Sequence, residues 1–256
     1  MPTLLYKEVG LVKGVGFDSW RRVGSATQAL KVYNFREVDE LVFLDIGATR
    51  AGRAPDYDLI DELADECFMP MTVGGGVRSL EDVRNLLHVG ADKVAINTAA
   101  VETPELIEGV SRVFGSQCVV VSIDYKLHPD GIREVYTRSG THATGIDPVQ
   151  LARDVERRGA GEILLCSIDR DGTMLGYDTE GVRQVTSATS LPVIASGGAG
   201  TYEHMWEVLE QGHASAVAAT SIYHFTEQTP AEAKRYLDAR GVPVRLPRAC
   251  LEAVCS

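Results

Sequence analysis

The sequence predicts an α/β fold, a (βα)8 TIM barrel built from two repeated half-barrels. Three observations predict it: eight short apolar runs recur along 256 residues, segments with helical spacing separate them, and the second half of the chain repeats the first. The apolar runs span residues 3–6, 41–46, 69–73, 93–96, 118–123, 162–168, 191–195 and 214–219. An open doubly wound sheet is the alternative that the strand pattern by itself leaves open.

The apolar runs and the segments between them have the properties of strands and helices in turn. The runs are short and several are rich in valine and isoleucine, which is typical of parallel strands covered on both faces. Leu59, Leu63 and Cys67 have the spacing of one face of a helix. A second helix is predicted to begin at Ser79, because acids of a first helical turn follow this capping residue.

An internal repeat favours the closed barrel. Residues 43–46 align with residues 165–168 at an offset of 122, and an offset of 119 near the N-terminus places Leu5 on Asp124. The offset of 122 also relates Gly75 to Gly197, Gly76 to Gly198 and Thr98 to Thr220. We expect one domain over residues 1–256, with half-barrels at about 1–117 and 118–240 and a tail at 241–256. Such a barrel is expected to carry two similar pockets on opposite sides of its C-terminal mouth.

The composition argues against several classes of partner. The chain has 36 acidic and 25 basic residues, a net charge of −11, so the phosphate neutralisation on which nucleic-acid binding depends is missing. No apolar stretch reaches the length of a membrane span, and the first residues lack the zones of a signal peptide. The six histidines and five cysteines show no ligand spacing. We therefore expect a cytoplasmic protein with no nucleic-acid or membrane partner, no metal and no cofactor.

Glycine runs follow the third strand of each half, at residues 74–76 and 197–200, and each is predicted to open a helix. Glycine allows backbone N–H groups to approach an anion closely at such a turn. The next strand of each half ends in small polar residues, at 97–98 and 220–221. One such loop is often only a tight turn, but two at symmetric positions indicate a pair of phosphate sites. We expect an elongated substrate with a phosphate at each end.

Asp124 is the candidate acid–base residue, because it ends the fifth strand and a carboxylate there faces the mouth of a barrel. Apolar walls would raise its pKa. A loop-capping role for this aspartate is the alternative. Leu5 stands at the corresponding position of the first half, and leucine cannot transfer a proton. A mechanism that needs two carboxylates would therefore lack one of them.

These motifs resemble the cyclase subunit of imidazole glycerol phosphate synthase over essentially the whole chain. The matching segments are residues 39–46, 72–76, 90–100, 114–117, 159–173 and 194–200. The resemblance implies a (βα)8 barrel that forms a heterodimer with a glutaminase subunit. It also implies that ammonia from the partner crosses the barrel to a bis-phosphorylated ribulosyl nucleotide, giving imidazole glycerol phosphate and an aminoimidazole carboxamide ribotide. The loop at residues 167–172 is similar to the cyclase and disfavours the related isomerase.

The resemblance also implies roles for individual residues. Asp124 matches one of two catalytic aspartates, and Lys13 matches a substrate-contacting lysine on a mobile loop after the first strand. The residues that match the phosphate sites are Gly76, Asn97 and Thr98 on one side and Asp171, Gly172, Gly198, Thr220 and Ser221 on the other. Glu40, Lys93 and Glu162 match the charged residues around the ammonia entrance at the barrel bottom, where the glutaminase is expected to dock.

Three departures from the family pattern leave the function open. Leu5 replaces the other catalytic aspartate, Met1 aligns with an internal position so that a gate arginine is missing, and Arg50 and Arg53 are added after the second strand. The last pattern resembles a paralogous branch associated with surface-polysaccharide genes, which is thought to pass ammonia to an enzyme that forms sugar acetamidino groups. Three hypotheses follow: the cyclase, an amidotransferase component paired with a sugar amidotransferase, and a non-catalytic ammonia conduit.

Overall fold

The computed structural model describes residues 1–247, so residues 248–256 of the expected tail lie outside the described chain. The strands are Thr3–Lys7 (β1), Gly10–Val15 (β2), Asp18–Gly24 (β3), Leu41–Asp45 (β4), Met71–Gly74 (β5), Lys93–Ile96 (β6), Val119–Leu127 (β7), Arg133–Thr137 (β8), His142–Ala143 (β9), Glu162–Ser167 (β10), Val193–Ser196 (β11) and Ala216–Val217 (β12). The helices are Ala26–Phe35 (α1), Tyr57–Ala64 (α2), Leu80–His88 (α3), Thr98–Glu102 (α4), Glu105–Phe114 (α5), Pro148–Arg157 (α6), Thr179–Thr186 (α7), Tyr202–Glu210 (α8), Ser221–Phe225 (α9) and Pro230–Asp238 (α10).

Eight of the described strands form a parallel barrel. Their order around the barrel is β1, β4, β5, β6, β7, β10, β11 and β12, which is also their order along the chain. The ring closes between the last and the first strand, where the Thr3 amide donates to Ala219 O at 3.0 Å and the Ala219 amide donates to Met1 O at 3.0 Å. An open doubly wound sheet would need a reversal of strand order. The predicted (βα)8 barrel is therefore confirmed, and the open-sheet alternative is wrong.

The alternation of side chains along each barrel strand produces two apolar cores. Residues such as Phe43 and Ile163 point outward and pack in the larger core between the strands and the helices. Their neighbours Val42 and Leu164 point inward and form a smaller core inside the barrel. Small residues such as Ala95 share this inner layer. Burial on both faces explains why these strands read as continuous apolar runs.

The helices begin and end close to where local sequence signals place them. The predicted start at Ser79 is confirmed: its hydroxyl accepts from the Asp82 amide at 3.1 Å, and the Asp82 carboxylate accepts from the Ser79 amide at 2.9 Å. The predicted helical face through Cys67 is wrong at its end. Helix α2 stops at Ala64, and the Cys67 thiol donates to Met69 O within the connection between α2 and β5. No helix within residues 1–247 is long and apolar enough to span a membrane.

Two hairpins at equivalent places in the two halves were not predicted. Strands β2 and β3 follow β1, and strands β8 and β9 follow a β7 that extends to Leu127. Gly10, with φ of +111°, allows the tight turn between β1 and β2. Strand β2 pairs antiparallel with β1 and β8 pairs antiparallel with β7. Both hairpins extend from the C-terminal ends of barrel strands, so they stand over the mouth of the barrel.

Candidate functional site

A cavity of about 340 Å³ opens at the C-terminal ends of the barrel strands. Asp45 ends β4, Asn97 directly follows β6 and Asp124 lies in β7, and all three line this cavity. The carboxyl ends of parallel strands meet on one face of a barrel, which is where barrel enzymes place their reacting groups. The residues brought together come from both halves of the chain, because the cavity also contacts Asp171 and Thr220.

Asp124 is held in the cavity wall by two hydrogen bonds. Ser122 Oγ donates to its Oδ1 at 3.2 Å, and Asn97 Nδ2 donates to its Oδ2 at 3.2 Å. The side chain is buried, and this burial raises the pKa of Asp124 to about 7, with a smaller contribution from the charge of Asp171 and an opposing one from the Ser122 hydrogen bond. A carboxyl group with a pKa near 7 can both take and give a proton at neutral pH.

Leu5 occupies the position in the first half that Asp124 occupies in the second. Leu5 pairs with Leu44 across β1 and β4, and Asp124 pairs with Cys166 across β7 and β10. Leu44 and Cys166 are themselves related by the 122-residue offset, so the strand register agrees with the alignment drawn from the sequence. Leu5 is buried and lines the same cavity. The wall opposite Asp124 thus presents an alkyl group.

The first group of expected phosphate-site residues lines the cavity beside Asp124. Gly76 has φ of +75°, and a Cβ there would lie 2.7 Å from Arg53 O, so the backbone requires glycine. Thr98 Oγ1 donates to Asn97 Oδ1 at 3.3 Å and accepts from the Arg138 amide at 3.1 Å. The run at residues 74–76 does not open a helix directly, because α3 begins only at Leu80. These groups gather N–H and O–H donors at one corner of the mouth.

The second group gathers around a much smaller recess of about 10 Å³ on the other side of the mouth. Its lining residues are Lys13, Asp171, Gly172, Ser196, Gly197, Gly198, Ala199, Ala218, Ala219, Thr220 and Ser221. Gly198 has φ of +110°, and a Cβ there would lie 2.1 Å from Gly176 O. The Oγ of Ser221 is buried without a hydrogen-bond partner among the described residues. All five residues expected on this side are therefore close together, in a recess too small for a phosphate group.

Lys13 differs from its expected place on a mobile loop. It lies in strand β2, is 1% exposed, and its Nζ lies 2.7 Å from both carboxylate oxygens of Asp171. The Gly16 amide donates to Asp171 O at 2.9 Å, so the hairpin is also fastened through its backbone. Burial raises the pKa of Asp171, and the Lys13 ammonium opposes that shift. The sequence shows no sign of this pair because its members are 158 residues apart.

A cluster of charges lies at the opposite, N-terminal end of the barrel. Lys93 Nζ donates to Glu40 Oε2 at 2.9 Å and to Glu162 Oε1 at 2.7 Å. Burial lowers the pKa of Lys93, but the hydrogen bonds to the two glutamates outweigh it, so the pKa lies above its ordinary value. Ala95, two residues further along β6 on the same face, lines the cavity floor. The charged cluster therefore lies about 7 Å below the floor.

Several lining residues were missed from the sequence. Phe17 and Trp20 reach the cavity from the β2–β3 hairpin, and Arg138 reaches it from the turn after β8. Their places depend on the unpredicted hairpins. Ser122 could have been found, because it lies two residues before Asp124 and thus on the same face of the strand. Within residues 1–247 no group of histidine, cysteine and acidic side chains could hold a metal ion.

The Arg53 and Arg50 side chains behave differently at the mouth. Arg53 Nη2 donates to Asp45 Oδ2 at 3.2 Å, and its Nε lies 3.6 Å from Glu8. Asp45 also accepts from the amides of Gly47 and Ala48. Arg50 is exposed. The added arginine at position 53 thus orders the loop after β4 and shields the charge of a strand-end carboxylate.

The fold and cavity define a class, an α/β-barrel protein with its polar site at the C-terminal ends of the strands. Residues 6–228 match the family described as "Histidine biosynthesis protein", and the chain belongs to this family. It is 51% identical over 247 residues to "Imidazole glycerol phosphate synthase subunit HisF" from two strains of Caulobacter vibrioides, covering 96% of this chain and 95% of each relative. The resemblance drawn from the motifs is confirmed at this level.

Proposed function

We propose that this chain is a cyclase-type subunit of a glutamine amidotransferase pair, acting on a bis-phosphorylated ribulosyl nucleotide. The observation that carries the proposal is the place of Asp124. This carboxyl, whose pKa is about 7, lines a cavity between two groups of anion-binding candidates. The 51% identity to a synthase subunit supports the same reaction class.

The two ends of the substrate are assigned to the two sides of the mouth. One phosphate binds at Gly76, Asn97 and Thr98, which already line the open cavity. The other binds in the recess of Gly198 and Ser221 after the hairpin that carries Lys13 has moved away. Because the protein carries a net charge of −11, local N–H and O–H donors rather than a broad positive field hold these phosphates.

Asp124 transfers protons while ammonia is incorporated. In its ionised form it takes a proton from the nitrogen as the carbon–nitrogen bond forms. In its protonated form it returns the proton to the ribulosyl carbonyl oxygen, which leaves as water. The nucleotide is then cleaved as the imidazole ring closes, leaving imidazole glycerol phosphate and the aminoimidazole carboxamide ribotide. Asn97 orients the carboxyl by its hydrogen bond to Oδ2. General acid–base catalysis of this kind contributes about 10²–10⁴ in rate.

Ammonia is supplied from the opposite end of the barrel. A glutaminase partner docks there, beside the cluster of Glu40, Lys93 and Glu162. Above the cluster, the inner layer is mostly apolar and includes the small side chain of Ala95. An apolar layer opposes a charged ammonium ion far more than neutral ammonia. This layer therefore selects the nucleophilic form of the nitrogen.

A second candidate is favoured by Leu5. With a leucine opposite Asp124, the chain would deliver ammonia to another enzyme, such as a sugar amidotransferase that forms acetamidino groups, or would serve only as a conduit. Arg53 at Asp45 supports this candidate too, since it changes the charge at the mouth. Both candidates share the use of ammonia and differ in the acceptor.

The deciding experiment supplies purified protein with ammonium and the ribulosyl nucleotide and follows imidazole product. We expect slow turnover by the natural chain and partial recovery in Leu5→Asp, because the second carboxylate is restored. Leu5→Asn is the matched control, since it has the shape of aspartate without its proton transfer. Turnover by the natural chain at ordinary enzyme rates would show that one carboxylate suffices. No product from either the natural chain or Leu5→Asp would favour the second candidate.

A further inference from the structure

Thr3 carries a buried hydroxyl that points into the barrel interior. The residue is 5% exposed and lines the cavity, yet its Oγ1 has no hydrogen-bond partner within residues 1–247. A buried hydroxyl without a partner destabilises a fold, and valine would fill the same space without that cost. The inward neighbours Val42, Ala95 and Leu164 are apolar. Thr72 and Ser122 are also polar members of this layer, but Thr3 differs from both because its buried hydroxyl has no partner among the described residues.

The two-fold repeat explains why this hydroxyl is free. Thr3 pairs with Val42 as Ser122 pairs with Leu164, so Thr3 and Ser122 are equivalent residues of opposite strands. Ser122 donates its hydroxyl hydrogen to Asp124, two residues on. Two residues after Thr3 comes a leucine, which offers no acceptor.

The backbone carbonyls next to the two hydroxyls each accept one hydrogen bond from a side chain. Thr220 Oγ1 donates to Thr3 O at 3.0 Å, and Asn97 Nδ2 donates to Ser122 O at 3.0 Å. Both donors follow the preceding barrel strand, although Thr220 and Asn97 are one position apart in the repeat. The difference between the halves lies in the side chains, and it leaves the Thr3 hydroxyl available to a ligand.

The place of Thr3 limits the ligand that can reach it. It lies two residues below Leu5, about 7 Å deeper in the barrel, on the side of the charged cluster that contains Lys93. The phosphate-site candidates are at the mouth, above this level. An ion would lose its hydration among apolar neighbours, so a small neutral molecule that forms hydrogen bonds fits best.

We propose that Thr3 Oγ1 binds ammonia on its way from the charged cluster to Asp124. The inference rests on the proposed use of ammonia and adds a binding site to it. The threonine hydroxyl donates its hydrogen to the nitrogen lone pair, and its oxygen can accept one of the N–H groups. A ligand with one non-hydrogen atom binds at best with a Kd of about 0.1 M. Such weak binding suits a site that ammonia occupies only in passing.

The test is an ammonium titration of the full chain, followed by the backbone amide signals of an isotope-labelled sample. Sodium chloride replaces ammonium chloride at constant ionic strength, and the titration extends to several times 0.1 M at alkaline pH, where more of the ammonium is ammonia. We expect saturable, ammonium-specific shifts at Thr3 and its strand neighbours. The shifts should disappear in Thr3→Val and persist in Thr3→Ser, which keeps the hydroxyl.

Thr137→Val is the matched control. Its Oγ1 is also buried without a partner among the described residues, but Thr137 does not line the cavity. This variant should leave the ammonium shifts unchanged. Equal shifts in Thr3→Val and the natural chain would overturn the inference. So would the absence of ammonium-specific shifts at Thr3, or shifts there caused only by the phosphorylated substrate.

The titration needs no acceptor, so it is independent of whether the cyclase reaction occurs. Where ammonium-driven turnover is measurable, Thr3→Val should raise the KM for ammonium about 2- to 10-fold, the loss of one hydrogen bond, and leave the KM for the phosphorylated substrate unchanged. Turnover with an unchanged KM for ammonium would reject the Thr3 site and leave the proposed function intact. Ammonium shifts without turnover would support the site and count against the cyclase.

Discussion

Lys13 and Asp171 form a bidentate ion pair, with Nζ lying 2.7 Å from each carboxylate oxygen, and this pair joins the hairpin after the first strand to the loop after β10. Its position beside Gly198 means that the same contact fastens the hairpin and occupies the second phosphate-site candidate. Opening the recess requires breaking this pair. A phosphate dianion near Lys13 would replace the Asp171 carboxylate as the anionic partner of the lysine ammonium.

Removing the Lys13 charge should destabilise the protein strongly. Lys13→Met leaves the buried Asp171 carboxylate without its cation, and breaking such a pair costs about 3–5 kcal/mol. Urea denaturation at neutral pH would measure the loss in the free energy of unfolding. The double variant Lys13→Met/Asp171→Leu should recover most of it, because neither charge is then left buried alone. A single variant within 0.5 kcal/mol of the natural chain would mean that water hydrates Asp171 without cost.

Asp124→Asn should stabilise the fold at alkaline pH. The pKa of Asp124 is about 7 in the folded chain, against about 3.9 for an unfolded aspartate. Between these values the folded state binds the extra proton, so the stability of the natural chain falls as the pH rises and the loss is complete above pH 7. The difference amounts to on the order of 4 kcal/mol.

The comparison is made by denaturant unfolding of both proteins between pH 4 and pH 8. Asp124→Asn should be the more stable of the two at pH 8. The difference should shrink towards pH 4, where the natural side chain is protonated in the folded state and about half protonated in the unfolded state. Asp61→Asn, on an exposed position of α2, controls for the removal of one negative charge. A difference between Asp124→Asn and the natural chain that does not change with pH would contradict the raised pKa.

Inorganic phosphate should bind at two places that can be removed separately. Thr98→Val removes a hydroxyl from the open cavity and Ser221→Ala removes one from the recess, and each loses a hydrogen bond to an anion. Such a bond is worth about 1.5–3 kcal/mol, or roughly 10- to 100-fold in affinity. Calorimetric titration should give two sites in the natural chain, with one weakened in each variant. A single site that responds to both substitutions, or none, would reject the two-ended substrate.

Lys93→Met should separate glutamine-driven from ammonium-driven turnover. Without the lysine, Glu40 and Glu162 face each other without a cation at the bottom of the barrel, where the glutaminase is proposed to dock. We expect less product per glutamine hydrolysed, with the reaction on external ammonium preserved. The control is Lys31→Met, which removes an exposed lysine from its pair with Glu66. Equal coupling in both variants would place ammonia transfer elsewhere.

The sequence predicted the features that depend on local pattern or on the repeat. Strand β6 was predicted with its correct bounds, and the equivalence of Leu5 and Asp124 followed from alignment alone. The ion pair of Lys13 with Asp171 could not be predicted, because it depends on how an unpredicted hairpin folds across the mouth. The missing partner of the Thr3 hydroxyl could not be predicted either. It becomes visible only by comparison with the equivalent Ser122, whose hydroxyl donates to Asp124.

The difference between Leu5 and Asp124 makes the two sides of the barrel mouth chemically unequal. A mouth with two similar ends could accept a two-headed ligand either way round. In the proposed reaction, only one of these orientations sets the reacting carbon against the Asp124 carboxyl, while the reverse orientation sets it against the Leu5 side chain. The orientation of the bound ligand, and not its affinity alone, then decides whether binding leads to product.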